Sequence, residues 1–189
     1  MRRTVFVSTL AAALIGAAAI TLPQLGLAAG EPMVGGAPMY PTKNIIENAV
    51  NSKDHTTLVA AVKAAGLGDT LSSPGPFMVF APTNEAFAML PKGTVDNLLK
   101  PENKEKLKKI LTSHVVGKAV LSDAINKMVA DDKGAHPVKT LSGAMLIAKN
   151  DNGKLTLTDE NGGVATVTIA DVKQSNGVIH VIDHVLLPK

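Results

Sequence analysis

The chain contains no cysteine and no tryptophan, and its 189 residues include only one tyrosine and four phenylalanines. Without cysteine, no disulfide staples the fold and no lipid can be attached at a bacterial lipoprotein box. With so few aromatic rings, Val, Ile, Leu, Ala and Met must fill the core. Charge of either sign is also scarce in excess. The 19 Lys and Arg less Arg2 and Arg3 leave 17 against 16 Asp and Glu, a net +1 once those two leader residues are set aside. That balance excludes nucleic acid, whose phosphates call for a clear basic excess. No G-x-S-x-G elbow and no H-E-x-x-H zinc motif occurs. The "GLG" at Gly66 to Gly68 closes a helix rather than following a strand, so it is no dinucleotide loop.

What is present begins with a leader. Arg2 and Arg3 precede an almost wholly apolar run from Val5 to Leu22, and Gly26, Ala28 and Ala29 follow. This pattern predicts a secretory signal peptide over residues 1–28, cleaved after Ala28 or Ala29. A run of this length would also span a bilayer as an uncleaved anchor; the small residues favour cleavage. The twin arginine is compatible with export of a folded chain. The expected location is therefore periplasmic or extracellular. About 160 residues remain, enough for one domain with its own core.

Residues 29–41 read as an irregular N-terminal arm, because "GEPMVGGAPMYPT" is rich in Gly and Pro. Met33 and Met39 there suit core filling better than soft copper ligation. The single domain then runs over residues 42–189. Thr42 is the expected cap of a helix carrying Ile45, Ile46, Ala49 and Val50, and a second helix covers about His55 to Ala65, closed by Gly66. Phe77 to Ala81 is apolar on both faces, as in a strand buried on both sides. Thr83, Thr94 and Ser122 are expected caps of later helices, and Pro101 suits a first helical turn. Lys104, Lys106, Lys108 and Lys109 mix with Glu102 and Glu105 on what reads as a solvated helix face. Ala124, Ile125 and Met128 are expected to point inward from the helix after Ser122. From His136 the pattern alternates, with turns at Ser142-Gly143, Asn152-Gly153 and Gly162-Gly163. Asp151, Asp159 and Glu160 lack the spacing of a calcium loop and read as turn carboxylates. The order of helices, strand, helices and then strands predicts an α+β fold with a mostly antiparallel sheet.

His180 and His184 stand four apart in "SNGVIHVIDHVLLP". On a helix they would share one face and a zinc ion. The segment is rich in Val and Ile, follows Asn-Gly and ends at Pro188, so Val178 to Leu187 reads as a strand. Four strand residues separate the rings by about 13 Å, too far for one ion with Zn–N bonds of about 2.0 Å. His180 is expected to be a structural histidine bonded to backbone, and His184 to be exposed. Ser113 and His114 are adjacent, and along a strand adjacency sends them to opposite faces. A scattered Ser-His-Asp triad is a matter of geometry and is not legible here.

Three segments together resemble the fasciclin (FAS1) domain family: "FMVFAPTNEAF" (77–87), "ILTSHVVG" (110–117) and "NGVIHVIDHVLLP" (176–188). Their order and separation also match, and the resemblance covers about residues 41 to 188, closest to the single-domain secreted bacterial type. It implies a wedge or sandwich of about seven strands with several helices packed on it. It further implies fold-keeping roles: Thr83 and Asn84 as turn and cap residues, His114 as a buried, hydrogen-bonded histidine, Asn176 and Gly177 as the turn into the last strand, and Asp183 as its tie to a neighbouring backbone. The family usually places Tyr before the histidine, and this chain has Ser113; with the ring gone, and no Arg-Gly-Asp, the integrin contact of animal members is not carried over.

The resemblance implies a secreted, monomeric, non-enzymatic interaction module, adhering to a cell surface, a matrix protein, a polysaccharide or a partner protein without a bound cofactor. The alternative is a carrier of a lipophilic small molecule such as a carotenoid, which some FAS1 proteins bind. Met78, Met89, Met128 and Met145 are then the candidate apolar ligand surface, since methionine adapts to irregular apolar shapes. The simpler reading of the same methionines, and the favoured one, is filler in a core poor in rings.

Overall fold

The computed structural model describes residues 31–189, so the expected signal peptide, residues 1–28, lies outside the described residues. The helices come first. α1 (Ile45–Ala49), α2 (Thr56–Ala65) and α3 (Gly68–Ser72) precede strand β3 (Phe77–Pro82). Then follow α4 (Asn84–Ala88), α5 (Thr94–Leu98), α6 (Lys104–Thr112), β4 (Val115–Val116) and α7 (Ser122–Asp131). The last third is a run of strands: β5 (His136–Lys139), β6 (Met145–Asp151), β7 (Lys154–Thr158), β8 (Val164–Gln174) and β9 (Gly177–Ile182). A small hairpin, β1 (Met33–Val34) with β2 (Ala37–Pro38), stands ahead of them all.

Seven strands form one sheet in the order β4-β3-β9-β8-β7-β6-β5. Only β3 and β9 run parallel. This is the α+β, FAS1-like arrangement expected. β3 and β9 lie inside the sheet and are covered on both faces, hence their unbroken apolar runs. Val79, Ala81, Ile179 and Val181 meet a core built from α1, α2, α3 and α6. Met78, Phe80 and Ile182 face a second core, closed by α7 and by the far strands. The sheet curls until its edges touch at one point. There Leu141 N–H donates to the Val115 carbonyl at 2.7 Å, and Ser142 N–H to that of Thr112 at 3.3 Å.

Several local expectations need correction. Residues 33–38 are not an irregular arm. Gly35 and Gly36 take φ of 59° and 74°, the left-handed pair that a two-residue hairpin turn needs. The hairpin delivers Met39 to the core, 2 % exposed beside Val34 and Ile45. Met39→Ala is therefore expected to cost about 2–5 kcal/mol, the range for truncating a buried Met; a urea midpoint unchanged from the parent would show that the segment is not part of the core.

Asn44, not Thr42, caps α1. Its side chain accepts from Glu47 N–H at 2.9 Å, and the Glu47 carboxylate takes Asn44 N–H at 2.8 Å, a complete capping box. Gly93, at φ 81°, precedes α5 and leaves Thr94 as its first residue. Gly66 closes α2 in the left-handed region, and Leu67 N–H reaches back to Val62. Ala124 is exposed, and Val129 joins Ile125 as the buried pair of α7. The final strand stops at Ile182, five residues short of the expected Leu187; Asp183 still bonds to Thr166 of β8, with its side chain taking the Thr166 N–H.

Candidate functional site

β3 and β9 start side by side, and the polar residues of the family segments cluster at their ends and along β9. Asn176, just before β9, is buried and spends its whole amide. Its Oδ1 accepts from Ile45 N–H at 3.0 Å, and its Nδ2 donates to Leu71 and Ser73 carbonyls at 2.8 and 2.9 Å. One side chain thus ties α1 and the end of α3 to the central strands. Gly177 pairs with Phe77 so closely that a Cβ would stand 2.0 Å from the Phe77 carbonyl oxygen.

At the other end of β3, Thr83 Oγ1 accepts from Ala86 N–H at 3.2 Å and caps α4. Asn84 reaches outward instead. Its Oδ1 accepts from Thr57 N–H at 3.0 Å and from the Thr56 hydroxyl at 3.2 Å, while its Nδ2 donates to the Lys53 carbonyl at 2.8 Å. It therefore caps α2, which no side chain of its own caps. Asn84→Ala is expected to lower stability by about 1–2 kcal/mol, as for loss of a helix cap, with faster amide exchange at Thr57; unchanged exchange there would remove this role.

The three buried histidines are held neutral. His114 Nδ1–H donates to the Ile110 carbonyl at 2.9 Å, and its Nε2 accepts from Leu186 N–H at 2.9 Å. Burial pushes its pKa down to about 4, against the weaker opposing pull of the Ile110 carbonyl and of Asp159. His180 stacks on Phe80 with centroids 5.7 Å apart. Its Nε2–H donates to the Val120 carbonyl at 3.1 Å, and its Nδ1 accepts from Asp171 N–H at 3.2 Å. Burial lowers its pKa as well. His55 pairs with the Ser52 hydroxyl at 2.8 Å through Nδ1. Its Nε2 lies towards the Ala81 carbonyl but meets no partner at full hydrogen-bond geometry, and desolvation again lowers the pKa.

Asp183 Oδ1 accepts from Thr166 N–H at 2.7 Å, tying the end of β9 to β8. Burial alone would raise its carboxyl, but His184, 2.8 Å away, and Thr166 together hold it below its ordinary value. His184 is exposed and His180 fully buried, and among the described residues no group of three or more His, Asp or Glu is placed to hold a metal.

One Ser-Asp-His cluster does form, and its bonds run the wrong way for nucleophilic catalysis. Asp171 sits at a bulge in β8 with φ 61°. Its carboxylate accepts from both Ser122 N–H, at 2.7 Å, and the Ser122 hydroxyl. It thus caps α7, the role expected of Ser122 itself. The hydrogen bonds of His180 go only to backbone groups, so no imidazole faces that hydroxyl. Ser113 and His114 do not lie on a strand. Ser113 ends α6, and its hydroxyl bonds to the Lys109 carbonyl and the Ser142 hydroxyl, each at 2.8 Å.

A groove of about 460 Å³ opens where the sheet edges part, between β4, β5 and α7. Met78 and Met128 line it, the first 1 % exposed. Met89 and Met145 are exposed at 60 % and 39 % but are not on its walls, so the four methionines do not form one surface.

The model of the fasciclin domain matches residues 53–188, well over half of the chain. The chain belongs to the fasciclin domain family. "Protein sll1483" of Synechocystis sp. is 46 % identical over 177 residues, covering 86 % of this chain and 91 % of that one. "Transforming growth factor-beta-induced protein ig-h3" of Sus scrofa is 39 % identical over 131 residues, 69 % of this chain but only 17 % of that longer one. The solved FAS1 domain pair of the insect cell adhesion molecule Fasciclin I aligns with a TM-score of 0.68 over 77 % of this chain and 51 % of that one, at 19 % identity, a likeness of fold.

Within this fasciclin domain, Ser113 fills the position before the histidine that the family usually gives to tyrosine. It is 1 % exposed, so this position presents no side chain to a receptor. Sequence reasoning missed Asp171, Ser122 as its partner, and the buried Asn48. Asn48 Oδ1 accepts from Tyr40 N–H at 3.1 Å, and its Nδ2 donates to the Tyr40 carbonyl and to Gln174. A signal for Asp171 was present. The inward positions of β8 shift from Ala165, Val167 and Ile169 to Val172 and Gln174, an odd-to-even change that marks a bulge between them.

Proposed function

We propose that the protein is a secreted, non-enzymatic interaction module that binds a cell surface, a matrix polymer or a partner protein as a monomer. One observation carries this reading: the polar residues of the family segments are spent inside the fold. Asn176, His114 and His180 are each at most 8 % exposed and fully bonded, which leaves recognition to the outer surface. That surface carries large apolar side chains, Met33 at 57 %, Val50 at 48 % and Met89 at 60 % exposed, which are candidates for contact. Family membership supports it as well, since fasciclin domains are often adhesion-related. The test is retention of purified protein on host cells, on isolated envelope or matrix polysaccharide, and on surface proteins. Saturable retention on one of these, lost when Met33, Val50 and Met89 are changed together to serine, is the expected result. Absence of retention on all of them rejects the module.

The groove favours a second reading, a carrier of a lipophilic small molecule such as a carotenoid. Its volume lies within the roughly 300–1,000 Å³ of small-molecule sites. An absorption spectrum and native mass of protein purified from its host without detergent test it. A visible band or extractable extra mass supports the carrier, and a colourless protein at bare chain mass rejects it.

A further inference from the structure

The groove is open for a structural reason. Among the described residues the two edges of the sheet are joined where Leu141 and Ser142 donate to Val115 and Thr112, with the Ser113 and Ser142 hydroxyls bonded beside them. Beyond that point Val116 to Lys118 line one wall and His136 to Thr140 the other. Helix α7 supplies the third wall through Ile125 and Met128. Gly117 adds no side chain to close the gap; a Cβ there would meet only the Leu141 side chain, at 3.3 Å. The floor is apolar and buried, made by Met78, Val116, Ile125 and Val138. An apolar floor of this kind takes a hydrocarbon chain.

The rim is charged, and of one sign. Lys118 and Lys139 line the groove from opposite walls, both exposed and neither in an ion pair among the described residues. No carboxylate lines it. The nearby Asp132 is taken by the His136 ring at 2.6 Å. An uncharged polyene would fill the floor and leave both ammonium groups without a counter-charge.

We propose that this groove binds a single-chain amphiphile with an anionic head, a long-chain carboxylate, whose chain lies on the Met78, Ile125 and Val138 floor and whose head sits between Lys118 and Lys139. This rests on the carrier reading, in that the groove must be a ligand site, and it replaces a neutral ligand with a charged one. The carboxylate gains two charge-assisted contacts at a rim that has no competing anion.

The test uses purified protein stripped of bound lipid, titrated with palmitate, with hexadecanol and with β-carotene, and read by displacement of an environment-sensitive fluorescent fatty acid. Palmitate should bind at one per chain and about tenfold more tightly than hexadecanol, the sum expected of two surface charge contacts. Changing Lys118→Glu and Lys139→Glu together should weaken palmitate by about tenfold or more and leave hexadecanol unchanged. Both lysines are exposed, so circular dichroism should be unaltered. Met128→Trp, which fills the trough, should weaken both ligands. Equal binding of palmitate and hexadecanol, indifferent to the lysine changes, overturns the charged-head inference and leaves the carrier standing. Binding of β-carotene that palmitate does not displace has the same consequence. If no probe binds, both the inference and the carrier reading fall, and the adhesion reading is judged by its own retention test.

Discussion

Gly177→Ala is expected to destabilise the protein by about 3 kcal/mol or more, the upper range for overpacking in a well-filled interior. The new Cβ would stand 2.0 Å from the Phe77 carbonyl oxygen, 2.8 Å from its carbon and 3.0 Å from its nitrogen. All three are backbone atoms, so no flexible side chain can swing aside. They also belong to the first rung of the parallel β3–β9 pair, where Phe77 N–H donates to the Asn176 carbonyl at 3.0 Å. Moving β3 away would pull Asn176 from its bonds to α1 and α3 at the same time. Gly68→Ala is the control. A Cβ at Gly68, the first residue of α3, meets nothing within 4 Å, and its φ lies outside the left-handed region. That change should be neutral or stabilising by up to about 1 kcal/mol. Denaturant midpoints for the two variants measure the contrast, and similar midpoints would mean that the close approach of β3 and β9 does not constrain the fold.

Acid is expected to unfold the protein earlier than its carboxylates alone would require. His114 has an ordinary pKa of 6.5 and is lowered to about 4 by burial. The unfolded chain therefore takes up a proton between those values while the folded chain does not. The stability that the neutral ring contributes is complete above pH 6.5 and is lost as pH falls towards 4, by at most about 3 kcal/mol for this fully buried group. His55 and His180 are lowered in the same direction and add to the loss over the same descent. Asp183 and Glu160, whose folded pKa values are also depressed, contribute stability that is present above their ordinary 3.8 and 4.5 and is lost below them. Every shift has the same sign. The melting temperature should be flat from pH 8 to 7, fall between 6.5 and 4, and fall further below 4. His114→Gln should start lower and show a shallower slope. A profile flat down to pH 4.5 would contradict the buried, neutral state of these rings.

The parts of the fold legible in the sequence were those decided within a few residues. The apolar run at Phe77 to Ala81 can only be a strand covered on both faces, and Gly66 can only end its helix. The turns after β5, β6 and β7 follow from Ser-Gly, Asn-Gly and Gly-Gly. Less visible was anything settled by distant partners. Thr42 is the expected cap of α1, but the capping box between Asn44 and Glu47, three residues on, sets the start of the helix. Met39 is buried because the hairpin folds back onto α1, which composition rich in Gly and Pro conceals. Asn176 reads as a turn residue, yet its amide bonds to residues more than 100 positions away. The groove escapes periodicity altogether: it is the gap left where two sheet edges fail to pair, and Lys118 and Lys139 come to line it only after the sheet has curled.

The central claim is that the histidines and asparagines of the family segments maintain architecture, leaving binding to the surface. A nitrogen-15 NMR titration of the histidine rings tests it most directly. The account predicts His114 as the neutral Nδ1–H tautomer, titrating near 4, and His180 as the neutral Nε2–H tautomer, titrating below its ordinary value. It predicts no change in either ring when a partner or ligand binds the outer surface. Rings that titrate near 6.5, exchange tautomers or shift on binding would show that these residues are open to solvent and take part in recognition, and the account would fail.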